Sequence, residues 1–181
     1  MRNLIIATAV LGFSTALAQP KKPAAPAAAP AEETATAELK NAKGEKAGVA
    51  LFEQTPNGVL VTAEVSGLAP GTHAFHIHET GKCEPPFKTA GGHFNPGGKK
   101  HGLKSAEGCH AGDLPNIYVG ADGTAHMQFL APGVTLKPGD KTSLLDADGS
   151  TLVIHAGPDD FKSDPAGNAG DRVVCGVVAK K

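Results

Sequence analysis

The sequence predicts an all-β fold, an antiparallel Greek-key β-barrel or sandwich of immunoglobulin-like type, interrupted by two long functional loops. Three observations predict it. From about Ala37 onward the apolar residues recur with a period of two rather than 3.6. The runs are short and separated by turn residues, with 23 Gly and 14 Pro among 181 residues and no Trp. No segment carries a long apolar stripe at helical spacing, and many short strands joined by Gly/Pro turns pack as a sandwich or barrel.

Taken in order, residues 1–18 read as a secretory signal. Arg2 is the positive start, Leu4 to Phe13 the apolar core, and Ala16-Leu17-Ala18 the small-residue cleavage motif. The apolar stretch is too short to cross a bilayer, so the processed chain is not expected to span a membrane. Residues 19–36 are rich in Pro and Ala and almost devoid of large apolar side chains. Such a segment cannot bury enough surface to offset its ordering entropy, and it reads as a flexible linker. Residues 37–181 are then the folded domain.

Within the domain, Val59, Val61, Ala63 and Val65 alternate with Leu60, Thr62, Glu64 and Ser66, the pattern of a half-buried strand. Val49 to Glu53 precedes it across the turn Thr55-Pro56-Asn57-Gly58. A third strand is expected from Thr72 to His78. Others are expected at Asn116–Gly120, Thr124–Leu130, Ser143–Leu145, Thr151–His155 and Arg172–Ala179. Glu79 to Leu114 and Ala156 to Asp171 are Gly-rich and strandless. Loops this long in a compact domain are functional or disordered, and the first holds three of the eight histidines.

Charge excludes one class of partner. Lys+Arg 17 against Asp+Glu 18 gives a formal net charge of -1, and no basic stripe is present, so nucleic acid is not expected.

The histidines point to metal. On a strand, His76 and His78 project from one face while Phe75 and Ile77 enter the core from the other. His73 falls on the core face and reads as a buried histidine supporting the site rather than a ligand. His126 reads as a solvated strand histidine. The first loop adds His93, His101, His110 and Asp113, a nitrogen and oxygen set that fits a four-coordinate zinc site and would order a segment without a core of its own. His155 ends the apolar run Thr151 to Ile154 and, with His76 and His78, suits copper. These are seven candidate ligands for two four-coordinate sites, so one histidine has to serve both metals. Counting does not say which. Of the three cysteines, Cys83, Cys109 and Cys175, one pair can bridge in an oxidising compartment, and spacing does not choose it.

The stretches Gly71-Thr72-His73-Ala74-Phe75-His76-Ile77-His78, Gly91-Gly92-His93-Phe94-Asn95-Pro96 with Lys100-His101-Gly102, and Gly167 to Val177 resemble the copper/zinc superoxide dismutases. That family is itself a known example of the sandwich architecture and of electrostatic steering. The resemblance covers roughly Glu38 to Val178. It implies copper on His76, His78, His93 and His155, and zinc on His93, His101, His110 and Asp113, with His93 as the bridge. It further implies a Cys83–Cys175 disulfide, Asp159 as the carboxylate linking a copper ligand to a zinc ligand, and Arg172 as the active-site arginine beside copper. The implied reaction is dismutation of superoxide, the small-molecule substrate, with Arg172 and His93 in catalytic roles. An envelope metal-buffering protein with the same ligands is the alternative.

The loop from Ala156 to Asp171 is short and lacks the acidic pair of the eukaryotic members, with Lys162 the positive residue in it. The Lys82-Cys83-Glu84-Pro85-Pro86-Phe87 stretch and the signal are similar to bacterial, exported members, which implies the periplasm or cell envelope. That group includes monomers and homodimers, and either is admitted here. Cys109 has no counterpart in the family pattern.

Overall fold

The computed structural model describes residues 33–181. The secretory signal expected at 1–18 and all but the last residues of the linker expected at 19–36 lie outside the described residues. The linker boundary needs one correction: Thr34 to Thr36 already belong to the first strand. Ala35 and Ala37 are small enough to lie fully inside the barrel there, while Thr36 between them is only partly buried.

Ten strands follow, and no α-helix occurs among the described residues. They are β1 (Thr34–Asn41), β2 (Lys46–Thr55), β3 (Gly58–Val65), β4 (Gly71–His73), β5 (Phe75–His78), β6 (Ile117–Val119), β7 (Ala125–Ala131), β8 (Thr151–His155), β9 (Arg172–Val177) and β10 (Ala179–Lys180). A single 3-10 turn at Lys88–Ala90 interrupts the first loop.

The main sheet runs β5-β8-β9-β1-β2-β3-β7, with β10 beside β1. Every pairing in it is antiparallel. Strand β9 returns from far along the chain to lie beside β1, ahead of the β1-β2-β3 meander, which is Greek-key order. A second ribbon pairs β4 with β6.

Period-two alternation builds the core. In β3, Val59, Val61, Ala63 and Val65 are buried and the intervening residues are not. Phe52, Phe75, Ile77, Leu114, Ile117, Leu152 and Ile154 are fully enclosed with Leu39, Leu136 and Leu144, each side chain worth about 1.5–3 kcal/mol of burial. A smaller cluster of Phe87, Ala90, Val153 and Cys175 packs under the first loop.

Three expected elements differ. The strand Thr72–His78 is two, because Ala74 leaves the β4–β6 ribbon and bonds Gly157 and His155 instead, turning the chain into the main sheet. Ser143–Leu145 is not a strand but part of a loop that makes one bridge, Thr135 to Ser143, and is anchored by the buried Leu136 and Leu144. The final strand ends at Val177, and Ala179–Lys180 re-pairs on β1. The one-residue break between β9 and β10 lets Val178 enter the core.

Candidate metal centre

The centre sits where β5, the end of β8 and the two loops meet. β5 pairs with β8, setting His76 opposite Val153 and His78 opposite Thr151, while His155 lies opposite Arg172 of β9. The first loop folds back so that His93 bridges to His78 and Asp113 to His76. Backbone contacts hold it there: Phe94 N donates to the Ile77 carbonyl, Ile77 N to the Gly112 carbonyl and Gly112 N to the Phe94 carbonyl, each at 2.9 Å.

His76, His78, His93 and His155 form one group and His93, His101, His110 and Asp113 another. Within each group the potential ligand atoms lie within 4.8 Å of one another, and all seven residues are buried. In the first group, one ring nitrogen of each histidine is engaged. His76 Nε2 donates to Asp159 at 2.9 Å, His78 Nδ1 to the Gly91 carbonyl at 3.1 Å and His155 Nδ1 to the Gly170 carbonyl at 3.2 Å. His93 Nδ1 lies 2.7 Å from Asp113. The other nitrogens have no partner. Of seven buried, unpartnered side-chain polar atoms among the described residues, four are His76 Nδ1, His78 Nε2, His93 Nε2 and His155 Nε2. Leaving four acceptors dry and unpaired is costly unless they share a cation.

The second group has a different signature. Asp113 Oδ1 has His93 Nδ1 at 2.7 Å, His101 Nδ1 at 3.1 Å and His110 Nδ1 at 3.2 Å, and His93 and His110 Nδ1 are 3.4 Å apart. Three ring nitrogens around one carboxylate oxygen exceed its hydrogen-bonding capacity. The edges of a tetrahedron around an ion with bonds of about 2.0–2.1 Å are roughly 3.3 Å, so these contacts fit ligand-to-ligand edges. The other oxygen, Asp113 Oδ2, accepts from the amides of Gly102 at 2.8 Å and His110 at 3.0 Å, which orients the carboxylate.

Asp159 joins the groups. Its Oδ2 accepts from His76 and its Oδ1 from His101 Nε2 at 3.0 Å, with Phe161 N also on Oδ1 at 2.6 Å. Carboxylates in this position set ring orientation and tautomer.

The electrostatics follow from burial. Burial, with His93 and Arg172 beside it, pushes His78 down to about 2. Burial likewise lowers His155 to about 3, helped by His76, and His93 to about 4 against the pull of Asp113. Burial also opposes charge on His101, but its bonds to Asp113 and Asp159 outweigh that and raise it to about 9. Burial resists ionisation of Asp113 and Asp159 too, yet their imidazole and amide donors hold both well below the usual carboxylate range. Near neutral pH, His78, His93 and His155 are therefore uncharged bases.

Arg172 is half-buried. Its Nη1 donates to the Phe87 carbonyl and its Nη2 to the Gly91 carbonyl, both at 2.7 Å. Cys83 and Cys175, which sequence spacing left unassigned, are disulfide-bonded and span 92 positions. The bridge ties the first loop to β9 beside Arg172.

His73 is buried and outside both groups; its Nδ1 is 2.7 Å from the His155 carbonyl and its Nε2 2.8 Å from that of Ala69. His126 is exposed near Glu64. Lys162 is exposed. Cys109 is a free thiol outside both groups, and burial and Asp113 raise its pKa. Sequence reasoning missed Asn116, whose amide grips the backbone of Asp159. It also missed the carbonyls of Phe87, Gly91 and Gly170. A carbonyl carries no side-chain signal, and Asn116 sits at an expected strand start without one.

Residues 46–178 match the family of copper/zinc superoxide dismutases. The chain is 59% identical over 144 residues to superoxide dismutase (Cu-Zn) 1 of Aquifex aeolicus, which covers 78% of this chain and 85% of that one. It is 47% identical over 148 residues to the Cu-Zn superoxide dismutase of Caulobacter vibrioides, covering 80% and 85%. Among solved structures it is similar to a superoxide dismutase-like protein of Bacillus subtilis in which a tyrosine and a proline are each replaced by histidine. That likeness has a TM-score of 0.76 at 43% identity, covering 78% of this chain and 95% of that one.

Proposed function

The chain belongs to the copper/zinc superoxide dismutase family, and on that premise we propose that His76, His78, His93 and His155 hold copper while His93, His101, His110 and Asp113 hold zinc. The protein is an oxidoreductase that converts two superoxide anions and two protons to dioxygen and hydrogen peroxide. Copper, when bound, supplies the one-electron cycle between its two valences, and zinc keeps one valence and ties down the loop.

The residues supply the rest. Arg172 offers a fixed positive charge beside the four imidazoles; two backbone carbonyls hold its guanidinium, so it meets a small anion without reorganising. His93 is shared between the groups, Nδ1 toward Asp113 and Nε2 toward the copper set. Its Nε2 takes a proton in the first half of the cycle and passes it to the reduced oxygen product in the second. Asp159 keeps His76 and His101 in the tautomers that leave their Nδ1 atoms free for metal.

The four convergent, unpartnered imidazole nitrogens carry this reading. Its test is superoxide consumption by the chain loaded with one equivalent each of copper and zinc, against the chain loaded with zinc alone. Copper-dependent consumption far above that of free copper ions supports it. Tight copper binding without turnover would instead support a metal-buffering protein of the envelope.

Residues 1–18 are proposed to direct export, with residues 19–33 tethering the domain in the periplasm or cell envelope as a monomer or homodimer. The Cys83–Cys175 disulfide supports an oxidising compartment. No helix among the described residues is long and apolar enough to cross a membrane. Cell fractionation with N-terminal sequencing of the mature chain tests the assignment.

A further inference from the structure

We propose that Asn116 is the positioning residue that couples the two metal sites, by clamping the backbone of Asp159 so that one carboxylate serves both. The inference rests on the ligand assignment above and goes beyond it. Asn116 makes its side-chain hydrogen bonds to Asp159 and to no member of either ligand group.

Asn116 is buried immediately before β6, two residues after the core residue Leu114. Its Oδ1 accepts from Asp159 N at 2.8 Å and its Nδ2 donates to Asp159 O at 2.9 Å. A side-chain amide thus pairs with both backbone groups of one residue, as a neighbouring strand would. Asp159 has no strand neighbour: it lies in the second loop, held locally by Phe161 N on Oδ1. The clamp sets the height and rotation of the Asp159 Cα, and with them the span from Oδ2 to His76 and from Oδ1 to His101. Asn116 also follows the zinc-set residue Asp113 by three positions. Its strand end therefore carries the ligand turn on one side and the clamp on the other.

Only an amide of this length satisfies the arrangement. A carboxylate would set an oxygen against the Asp159 carbonyl, and alanine would leave a buried N–H and C=O unpaired. Either change frees Asp159 to follow one imidazole at the expense of the other.

The test is a double-mutant cycle on metal binding in the full chain. Zn²⁺ and Cu²⁺ affinities are measured by chelator competition for the wild type, Asn116→Ala, Asp159→Ala and the double variant. The electron paramagnetic resonance spectrum of bound Cu²⁺ is recorded for each. Asn116→Ala is expected to weaken both metals by about 10–100-fold, the range for lost supporting partners. It should also shift the copper spectrum as His76 turns. In the Asp159→Ala background the same substitution should change neither affinity, because its route is gone. Losses that add across the two substitutions, or a single variant that binds both metals as the wild type does, would overturn the proposal. If the alanine variant does not fold, Asn116→Ser, too short to bridge both backbone groups, runs the same cycle. Wild-type chain that binds neither metal would instead overturn the ligand assignment itself.

Discussion

Arg172 and His78 share one hydrogen-bond acceptor: the Gly91 carbonyl takes Arg172 Nη2 at 2.7 Å and His78 Nδ1 at 3.1 Å. The guanidinium proposed to meet the anion and an imidazole of the proposed copper set are thus oriented by the same segment of the first loop. Cys83 pins that loop to β9, which carries Arg172. The guanidinium, the His78 imidazole and the disulfide thus form one mechanical unit.

Arg172→Gln should lower kcat/KM for superoxide by roughly tenfold or more, the worth of a charge-assisted hydrogen bond, while copper and zinc content stay near wild type. The salt dependence of the rate should flatten, because an attractive charge on the anion's path is gone. Stopped-flow superoxide decay at two ionic strengths, beside elemental analysis, checks both. An unchanged rate at low salt would remove the role assigned to Arg172.

Replacing Cys83 and Cys175 together by serine should destabilise the domain by about 4–5 kcal/mol in the chain-entropy model for a 92-residue separation. That corresponds to a fall in Tm of roughly 10–20 °C for a domain of this size. Activity below the transition should fall as well, since the Phe87 and Gly91 carbonyls lose their anchor. Thermal unfolding and superoxide assays on the same preparation measure the two effects.

Gly167→Ala should loosen the centre. Gly167 has a φ of +65°, and a methyl group there would overlap the Asp159 carboxylate and reach 2.8 Å from His101 Nε2. Both backbone strain and displacement of Asp159 act against the substitution. Zinc affinity is expected to drop about tenfold or more, read by chelator competition. Gly98→Ala, at a positive φ but with nothing within 4 Å, provides the control.

Stability of the metal-free chain should peak at about pH 7, where the protons taken up by the unfolded histidines balance the one held by folded His101. His78, His93 and His155 are depressed to about 2, 4 and 3 from 6.5 in the folded state. The unfolded chain therefore binds protons below pH 6.5 that the folded chain refuses, and stability falls with pH from about 6.5 toward 4. His101 is raised to about 9, so its contribution is complete below 6.5 and is lost as pH climbs to 9. Urea midpoints in chelator between pH 4 and 9.5 should trace a single maximum. A midpoint that keeps rising to pH 9 would contradict the raised His101.

Much of this protein is legible in its residues. Alternation in Val59–Val65 determines which face of β3 is buried, because side chains on a strand alternate strictly. The same parity makes His76 and His78 neighbours with Phe75 and Ile77 behind them. Composition and spacing supply seven candidate metal ligands, and the family resemblance extends from roughly Glu38 to Val178. These are local properties, set by backbone geometry and side-chain chemistry within a few positions.

Tertiary structure alone decided the rest. The break at Ala74, the loop at Ser143–Leu145 and the early start of β1 at Thr34 depend on which strand edge is vacant, and no short window of sequence holds that information. Cysteine spacing alone leaves the disulfide pair open; the family resemblance implies Cys83 with Cys175, and folding brings those two together. Which nitrogen of each imidazole is left for metal depends on partners 13 to 83 residues away, at Gly91, Gly170 and Asp159. Two of those partners are backbone carbonyls, which every residue carries, so no residue identity could have announced them; long-range packing selects them.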